Sequence, residues 1–237
     1  MTRPTVGFIY PDHAAESDYP AAAELLGVNF PVAHIYGTDL HAIPELMDLG
    51  SPERLAQGAV LLAPQRPAAV IWACTSGSFV FGPDGAADQV NRLAAVAGVP
   101  ASSTSFGFVH ACAALECSRV AVAASYPADV AELFANFLAA HGIRIESMGH
   151  AGIDTAAEVG RLTPEQVRNL ALRNDDPAAD VLLILDTAMH TVGQVTELER
   201  LLAKPVLTAN VVTVWEGLRI AGIARSTTGL GALFEDR

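Results

Sequence analysis

The sequence is short of positive charge. Of its 237 residues, 14 are Lys or Arg against 26 Asp or Glu, a formal net charge of −12, and its pI is about 4.9. Such a chain lacks the basic footprint that draws proteins to nucleic acid. Anionic lipid would repel it. The only lysine is Lys204, set directly before Pro205. Schiff-base chemistry needs a positioned lysine, so a pyridoxal-type enzyme is disfavoured. Three cysteines do not make a disulfide framework. Cys112 and Cys117, with no second ligand pair nearby, do not make a zinc site. No uninterrupted apolar run approaches the ~18 residues that span a bilayer. The opening Met1-Thr2-Arg3-Pro4 leads into a short apolar stretch and then Pro11-Asp12-His13, unlike a signal peptide. A soluble cytoplasmic protein is expected. Phosphate-loop, His-Glu-x-x-His and Gly-x-Ser-x-Gly motifs are missing. Gly229-Leu230-Gly231 is too short for a dinucleotide fingerprint. No nucleotide, flavin, metal or other cofactor is expected.

What is there is apolar. Hydrophobic residues make up 51% of the chain and charged ones 17%, and the mean hydropathy is +0.33. That is too apolar for disorder and ample for a sizeable core. Short β-rich runs alternate with Ala-rich helical patterns. The expected strands cover residues 6–10, 32–36, 68–74, 119–125, 143–148, 180–185 and 205–208. Most are near-continuous apolar runs, the pattern of strands covered on both faces. The expected helices cover 21–26, 52–62, 86–97, 106–116, 128–141, 164–173, 193–202 and 211–221. Ser51-Pro52-Glu53 and Thr163-Pro164-Glu165-Gln166 read as capped helix starts. Gly27, Gly98, Gly142 and Gly222 read as helix stops. The fold class is α/β, with parallel sheets built from right-handed crossovers.

An internal repeat divides the chain. Tyr10-Pro11 precedes Cys74-Thr75 by 64 residues, and Tyr126-Pro127 precedes Asp186-Thr187 by 60. Val99-Pro100 and Lys204-Pro205 follow as a third matched landmark. The pattern predicts two related lobes, each a parallel sheet flanked by helices. Lobe one covers 1–117, completed by 210–237, and lobe two covers 118–209. Ligands of open α/β sheets sit beyond the carboxyl ends of the strands. Two such ends would face each other across a cleft, with Cys74 and Asp186 on opposite sides.

The sharpest motif is Cys74-Thr75-Ser76-Gly77-Ser78. Backbone N–H groups and helix N-termini stabilise a thiolate, so a lowered thiol pKa would mark an enzyme. The hydroxyls and amides could bind a carboxylate without a cationic side chain. The plainer alternative is a small buried cysteine in a hydroxyl-rich turn. Tyr126 could donate to an oxyanion or be a half-buried phenol reaching solvent. Tyr10-Pro11-Asp12-His13 is either cleft lining or a turn. Asp186 could be a general acid or base if burial raised its pKa, or it could cap the following helix. Thr187 stands beside it, and His190 reads as structural.

These motifs resemble the aspartate/glutamate racemase superfamily, within it the arylmalonate decarboxylase and maleate cis–trans isomerase branch. The likeness rests on Ala73–Phe79, Tyr126 and Asp186-Thr187 and runs nearly end to end. It takes in 122–138, 197–201, Trp215–Gly222 and Gly229–Phe234. The resemblance implies two pseudo-symmetric lobes, an active site in the cleft between them, and no metal or organic cofactor. It implies a cysteine on each lobe in the racemases and isomerases, and only the second-lobe cysteine in the decarboxylase. It also implies carboxylate binding by Thr75, Ser76 and Tyr126. This chain departs from both patterns, having Cys74 on the first lobe but Asp186 where the second cysteine belongs. Its loop at Tyr10-Pro11-Asp12-His13 has neither the isomerases' Ser-Asn pattern nor the decarboxylase's two prolines.

The expected activity is cofactor-independent chemistry on a carbon beside a carboxylate of a small (di)carboxylic acid, as in decarboxylation or cis–trans isomerisation. Cys74 and Asp186 are the expected catalytic residues. Tyr10, Pro11, Asp12, Thr75, Ser76, Tyr126 and Thr187 are the expected substrate contacts. One alternative is a racemase of amino acids or hydantoins using Cys74 and Asp186. Another is a carboxylate-binding protein without catalysis. A small acid is the one partner expected, with homo-oligomerisation left open.

Overall fold

The apolar runs become buried parallel strands. The computed structural model describes residues 3–11 and 14–235. The first half runs β1 (Gly7–Pro11), α1 (Asp18–Leu26), β2 (Val32–Ile35), α2 (Ile43–Leu49), α3 (Pro52–Leu62), β3 (Val70–Trp72), α4 (Ser76–Phe79), α5 (Gly82–Ala97), β4 (Ala101–Ser103) and α6 (Thr104–Ala114). The second runs β5 (Arg119–Ala124), α7 (Ala128–Ala140), β6 (Arg144–His150), α8 (Ala156–Val159), α9 (Pro164–Asn174), β7 (Val181–Ile184), α10 (Val195–Leu202), β8 (Val206–Thr208) and α11 (Ala209–Ile220).

Each half forms a four-stranded sheet. The orders are β2-β1-β3-β4 and β6-β5-β7-β8, which are the same order. All the strand pairs within the sheets are parallel. The central strands β3 and β7 are wholly buried, as strands with helices on both faces must be. Among the described residues, no helix is long and apolar enough to cross a membrane.

Register fixes which residues correspond. Ile9 pairs with Trp72 in one sheet, and Ala123 pairs with Ile184 in the other. The next bonds match too: Ala73 N–H donates to Ile9 O, and Leu185 N–H to Ala123 O. Cys74 and Asp186 are therefore equivalent, each two residues past its strand. The Tyr-Pro landmarks are not equivalent. Tyr10 lies one residue past Ile9, inside β1, whereas Tyr126 lies three past Ala123, beyond β5. The repeat is real in topology, and the tyrosines are offset by two positions within it.

Local signals fared unevenly. Thr163 and Gln166 form the full capping box, but Ser51 makes no side-chain cap bond. Strand β4 escapes an apolar-run reading because two of its three residues are serines. Burial there is sustained by a polar partner, Ser102 Oγ donating to Glu216 Oε1 at 2.6 Å. The short helices α2, α4 and α8 also went unread. Each is seven residues or fewer, below the length at which helical periodicity shows.

The corresponding helices α6 and α11 pack on each other at the join. Thr104 and Thr213 share a hydroxyl hydrogen bond of 2.6 Å there. Helix α11 lies across the first sheet, where a Cβ on Gly217 would stand 2.7 Å from Val6 Cγ1 and 3.2 Å from Ile71 Cγ1. The strand ends of both sheets thus open toward one space.

Candidate active site

Cys74 sits at the carboxyl end of β3, 5% exposed. The turn after it, α4, is held from outside. Trp72 Nε1 and Gln89 Nε2 both donate to Gly77 O, at 3.0 and 2.8 Å. Ser105 Oγ donates to Thr75 O at 2.8 Å. Residue 77 must be glycine, since a Cβ would stand 2.9 Å from the Trp72 ring and 3.2 Å from Cys74 Sγ. That close approach lets Gly77 N–H donate to the Cys74 sulfur at 3.3 Å. Ser76 Oγ lies 3.8 Å from the same sulfur.

These donors do not lower the thiol's pKa overall. Burial pushes Cys74 up to about 12, the Asp186 charge adds to this, and the Gly77 and Ser76 contacts only partly offset it. The lowered pKa expected of the motif is not found. Desolvation of the anion outweighs two hydrogen bonds. At neutral pH Cys74 is a thiol.

Thr75 and Tyr126 are fully buried behind it. Thr75 Oγ1 has no hydrogen-bond partner, a costly state for a buried hydroxyl. Burial holds the Tyr126 phenol well above its ordinary pKa, with the Asp186 and Cys74 charges adding to this. It therefore remains an O–H donor. Tyr10 is raised as well, chiefly by burial. Its hydroxyl is already committed, donating to Thr187 O at 2.8 Å and accepting from Ala15 N–H at 3.0 Å. Tyr10 thereby ties the first sheet to the loop that carries Asp186.

Asp186 is 4% exposed. Its Oδ2 accepts from Ser125 Oγ at 2.5 Å and its Oδ1 from Ala188 N–H at 2.9 Å. The second bond closes a turn, because the next helix, α10, starts only at Val195. The helix-cap role is thereby excluded. Its φ of +88° is a conformation that costs a non-glycine residue roughly 1–3 kcal/mol.

One cavity gathers most of these groups. Tyr10, Pro11, Cys74, Ser76, Asp186 and Thr187 line it, with Thr75 and Tyr126 packed behind. Asp12 lies outside the described residues. Leu40, Leu46 and Leu49 supply an apolar wall. Among the described residues that line the cavity there is no Lys or Arg. His41 is among them, and the sequence reading missed it. It lies in an irregular stretch after β2, and nothing local tells that it crosses to the other lobe. His41 N–H donates to Asp154 O at 2.8 Å. Its Nδ1 lies 2.9 Å from Ile153 O, and since a carbonyl only accepts, Nδ1 carries a hydrogen. Its Nε2 faces Asp186 Oδ2 at 3.6 Å, and its ring meets Tyr126 edge-on with centroids 4.9 Å apart. His190 instead contacts Ser17 at 3.3 Å, in exposed surroundings.

The family model for arylmalonate decarboxylase matches residues 13–234. The chain belongs to the arylmalonate decarboxylase family. Arylmalonate decarboxylase from Bordetella bronchiseptica is 30% identical over 240 residues, covering 98% of this chain and 97% of that protein. A liganded arylmalonate decarboxylase with one Gly-to-Cys and one Cys-to-Ser change superposes with a TM-score of 0.89. It is 26% identical and covers 99% of this chain and 100% of that one. A Cys-to-Ser mutant of Nocardia farcinica maleate cis–trans isomerase, carrying a covalently bound succinylcysteine, gives a TM-score of 0.91 at 22% identity, with 100% of both chains covered. The last likeness concerns the fold. Family and fold agree with the resemblance read from the motifs.

Proposed function

We propose that the protein decarboxylates small malonate-type dicarboxylic acids without a cofactor, with Cys74 as the proton donor. The observation that carries this is the buried Thr75 hydroxyl, which makes no hydrogen bond and lies next in the chain to the protonated Cys74 thiol and near the protonated Tyr126 phenol. A carboxylate oxygen supplies the partner that Thr75 lacks. Thr75, Ser76 and Tyr126 hold the carboxylate that stays. The other carboxylate faces the apolar wall of Leu40, Leu46 and Leu49, where a charge is poorly solvated. Breaking its bond to the central carbon releases CO₂. The electron pair moves into the retained carboxylate, giving an enediolate that preorganised donors stabilise. Cys74 then gives its proton to carbon and is left as thiolate, to regain a proton from solvent.

The raised thiol pKa favours this over isomerisation. Attack on a double bond needs a thiolate, whereas protonating a carbanion needs a thiol. The same hydroxyl-lined carboxylate site without turnover would make a binding protein, but the decarboxylase relative spans the whole chain.

Handedness tests the donor. Cys74 approaches from the first sheet, so the initial product from a prochiral methyl-phenylmalonate has the configuration opposite to that made by protonation from the second-lobe side. Chiral chromatography at early times reads this. The same configuration as a second-lobe donor gives would remove Cys74 from the role.

A further inference from the structure

His41 and Cys74 line one cavity but reach it from different places. Cys74 ends β3, and Asp186 holds the equivalent position at the end of β7. A group supported by Asp186 therefore meets the substrate carbon from the face opposite Cys74. Asp186 itself is poorly placed to move a proton. Both of its oxygens already accept hydrogen bonds, from Ser125 and Ala188, and its backbone is fixed in a strained turn. The imidazole beside it is oriented on its far side by Ile153 O. That leaves Nε2 directed at Asp186 Oδ2, 3.6 Å away. This is ion-pair separation, too long for a formed hydrogen bond, so Nε2 keeps freedom to turn to a ligand. Imidazole exchanges protons near neutral pH, where an ordinary carboxylate does not.

We infer that His41, oriented by Asp186, is the second proton-transfer group of this site and replaces the missing second-lobe cysteine. The inference rests on the carboxylate-binding reading above. It gives the protein a second, slower activity: interconverting the enantiomers of the monoacid that decarboxylation yields. The bound monoacid loses its α-hydrogen as a proton to His41 Nε2, forming imidazolium. The C–H electron pair moves into the carboxylate as an enediolate. The Cys74 thiol then delivers its proton to the opposite face, forming the new C–H bond and leaving a thiolate. The reverse direction exchanges the two roles. No oxidant or further reactant enters.

The test incubates each enantiomer of 2-phenylpropionate with the full-length protein in D₂O. Proton NMR follows α-deuteration, and chiral chromatography follows inversion. Wild type should deuterate and interconvert both enantiomers. His41→Gln should lose both inversion and α-deuteration by at least ~100-fold while still binding 2-phenylpropionate in saturation-transfer NMR. That retained binding shows an intact site. Should His41→Gln melt early, Asp186→Asn should show the same split, with inversion down about tenfold. Inversion at the wild-type rate in His41→Gln would overturn the inference. So would a wild type that deuterates one enantiomer only, or neither. A parallel assay of phenylmalonate decarboxylation separates the two readings. CO₂ release without inversion removes His41 alone, and no CO₂ release removes the underlying decarboxylase reading.

Discussion

At the scale of single residues, the chemistry turns on where protons reside. Cys74 keeps its proton because a buried thiolate loses more in desolvation than Gly77 and Ser76 return. Its pKa of about 12 lies above the ordinary thiol value, so raising the pH to 10 should leave the thiol intact. Alkylation of Cys74 by iodoacetamide should then still be accelerating at pH 10, and a plateau near pH 8 would contradict this. Replacing the thiol by a hydroxyl keeps the shape and removes the acid. Cys74→Ser should therefore lower kcat by at least ~100-fold with little change in melting temperature. Several of these residues are legible in the sequence, because cysteine, hydroxyls and glycine crowd directly after an apolar run. His41 is not legible. Its place in the cavity comes from contacts with Ile153, Asp154 and Asp186, more than a hundred residues away. The direction of the thiol shift is illegible for a similar reason. Local donors show in the motif, but the depth of burial does not.

At the scale of elements, the join between α6 and α11 carries an acid-sensitive network. Glu216 on α11 is fully buried. Burial pushes its carboxyl up, but His110, Arg219 and Ser102 outweigh this and hold it at about 2. A carboxyl lowered from its usual 4.5 to about 2 stabilises the fold above pH 4.5, and that contribution fades as pH falls toward 2. The shift corresponds to about 3 kcal/mol. Urea unfolding of wild type and Glu216→Gln should differ most at pH 6–7 and converge by pH 2.5. A constant gap across that range would contradict the assignment. In the same layer, Gly217→Ala would press a methyl onto Val6 and Ile71 and should cost about 1–3 kcal/mol. Elements with long apolar runs or clear caps were legible, as β7 and α9 show. Strand β4 was not, because Ser102 and Ser103 are buried through polar partners elsewhere in the chain.

At the scale of the whole molecule, the two sheets are latched over the site. Leu40 bridges Thr155 in an antiparallel pair, flanked by His41 N–H to Asp154 O and Ala156 N–H to Asp39 O. Ala157 N–H donates to Asp39 Oδ1 at 2.9 Å as well. The cavity beneath measures about 30 Å³, room for little more than a water. If the cavity takes a small acid, this latch opens to admit it. Leu40 and Thr155 form a non-hydrogen-bonded pair, the close spacing that a disulfide can bridge. Oxidised Leu40→Cys/Thr155→Cys should turn over at least ~10-fold more slowly and recover with dithiothreitol. Equal rates in both states would remove the latch from the cycle. The twofold plan of the molecule was legible from landmarks in each half, though the offset of Tyr10 from Tyr126 emerged only from strand register. Cys74 as proton donor is tested most directly with phenylmalonate and methyl-phenylmalonate in D₂O, followed by proton NMR with wild type and Cys74→Ala side by side. Wild type should release CO₂ and place deuterium on the α-carbon, and Cys74→Ala should be slower by at least ~100-fold. Near-normal turnover without Cys74, or an inert wild type, would contradict that role.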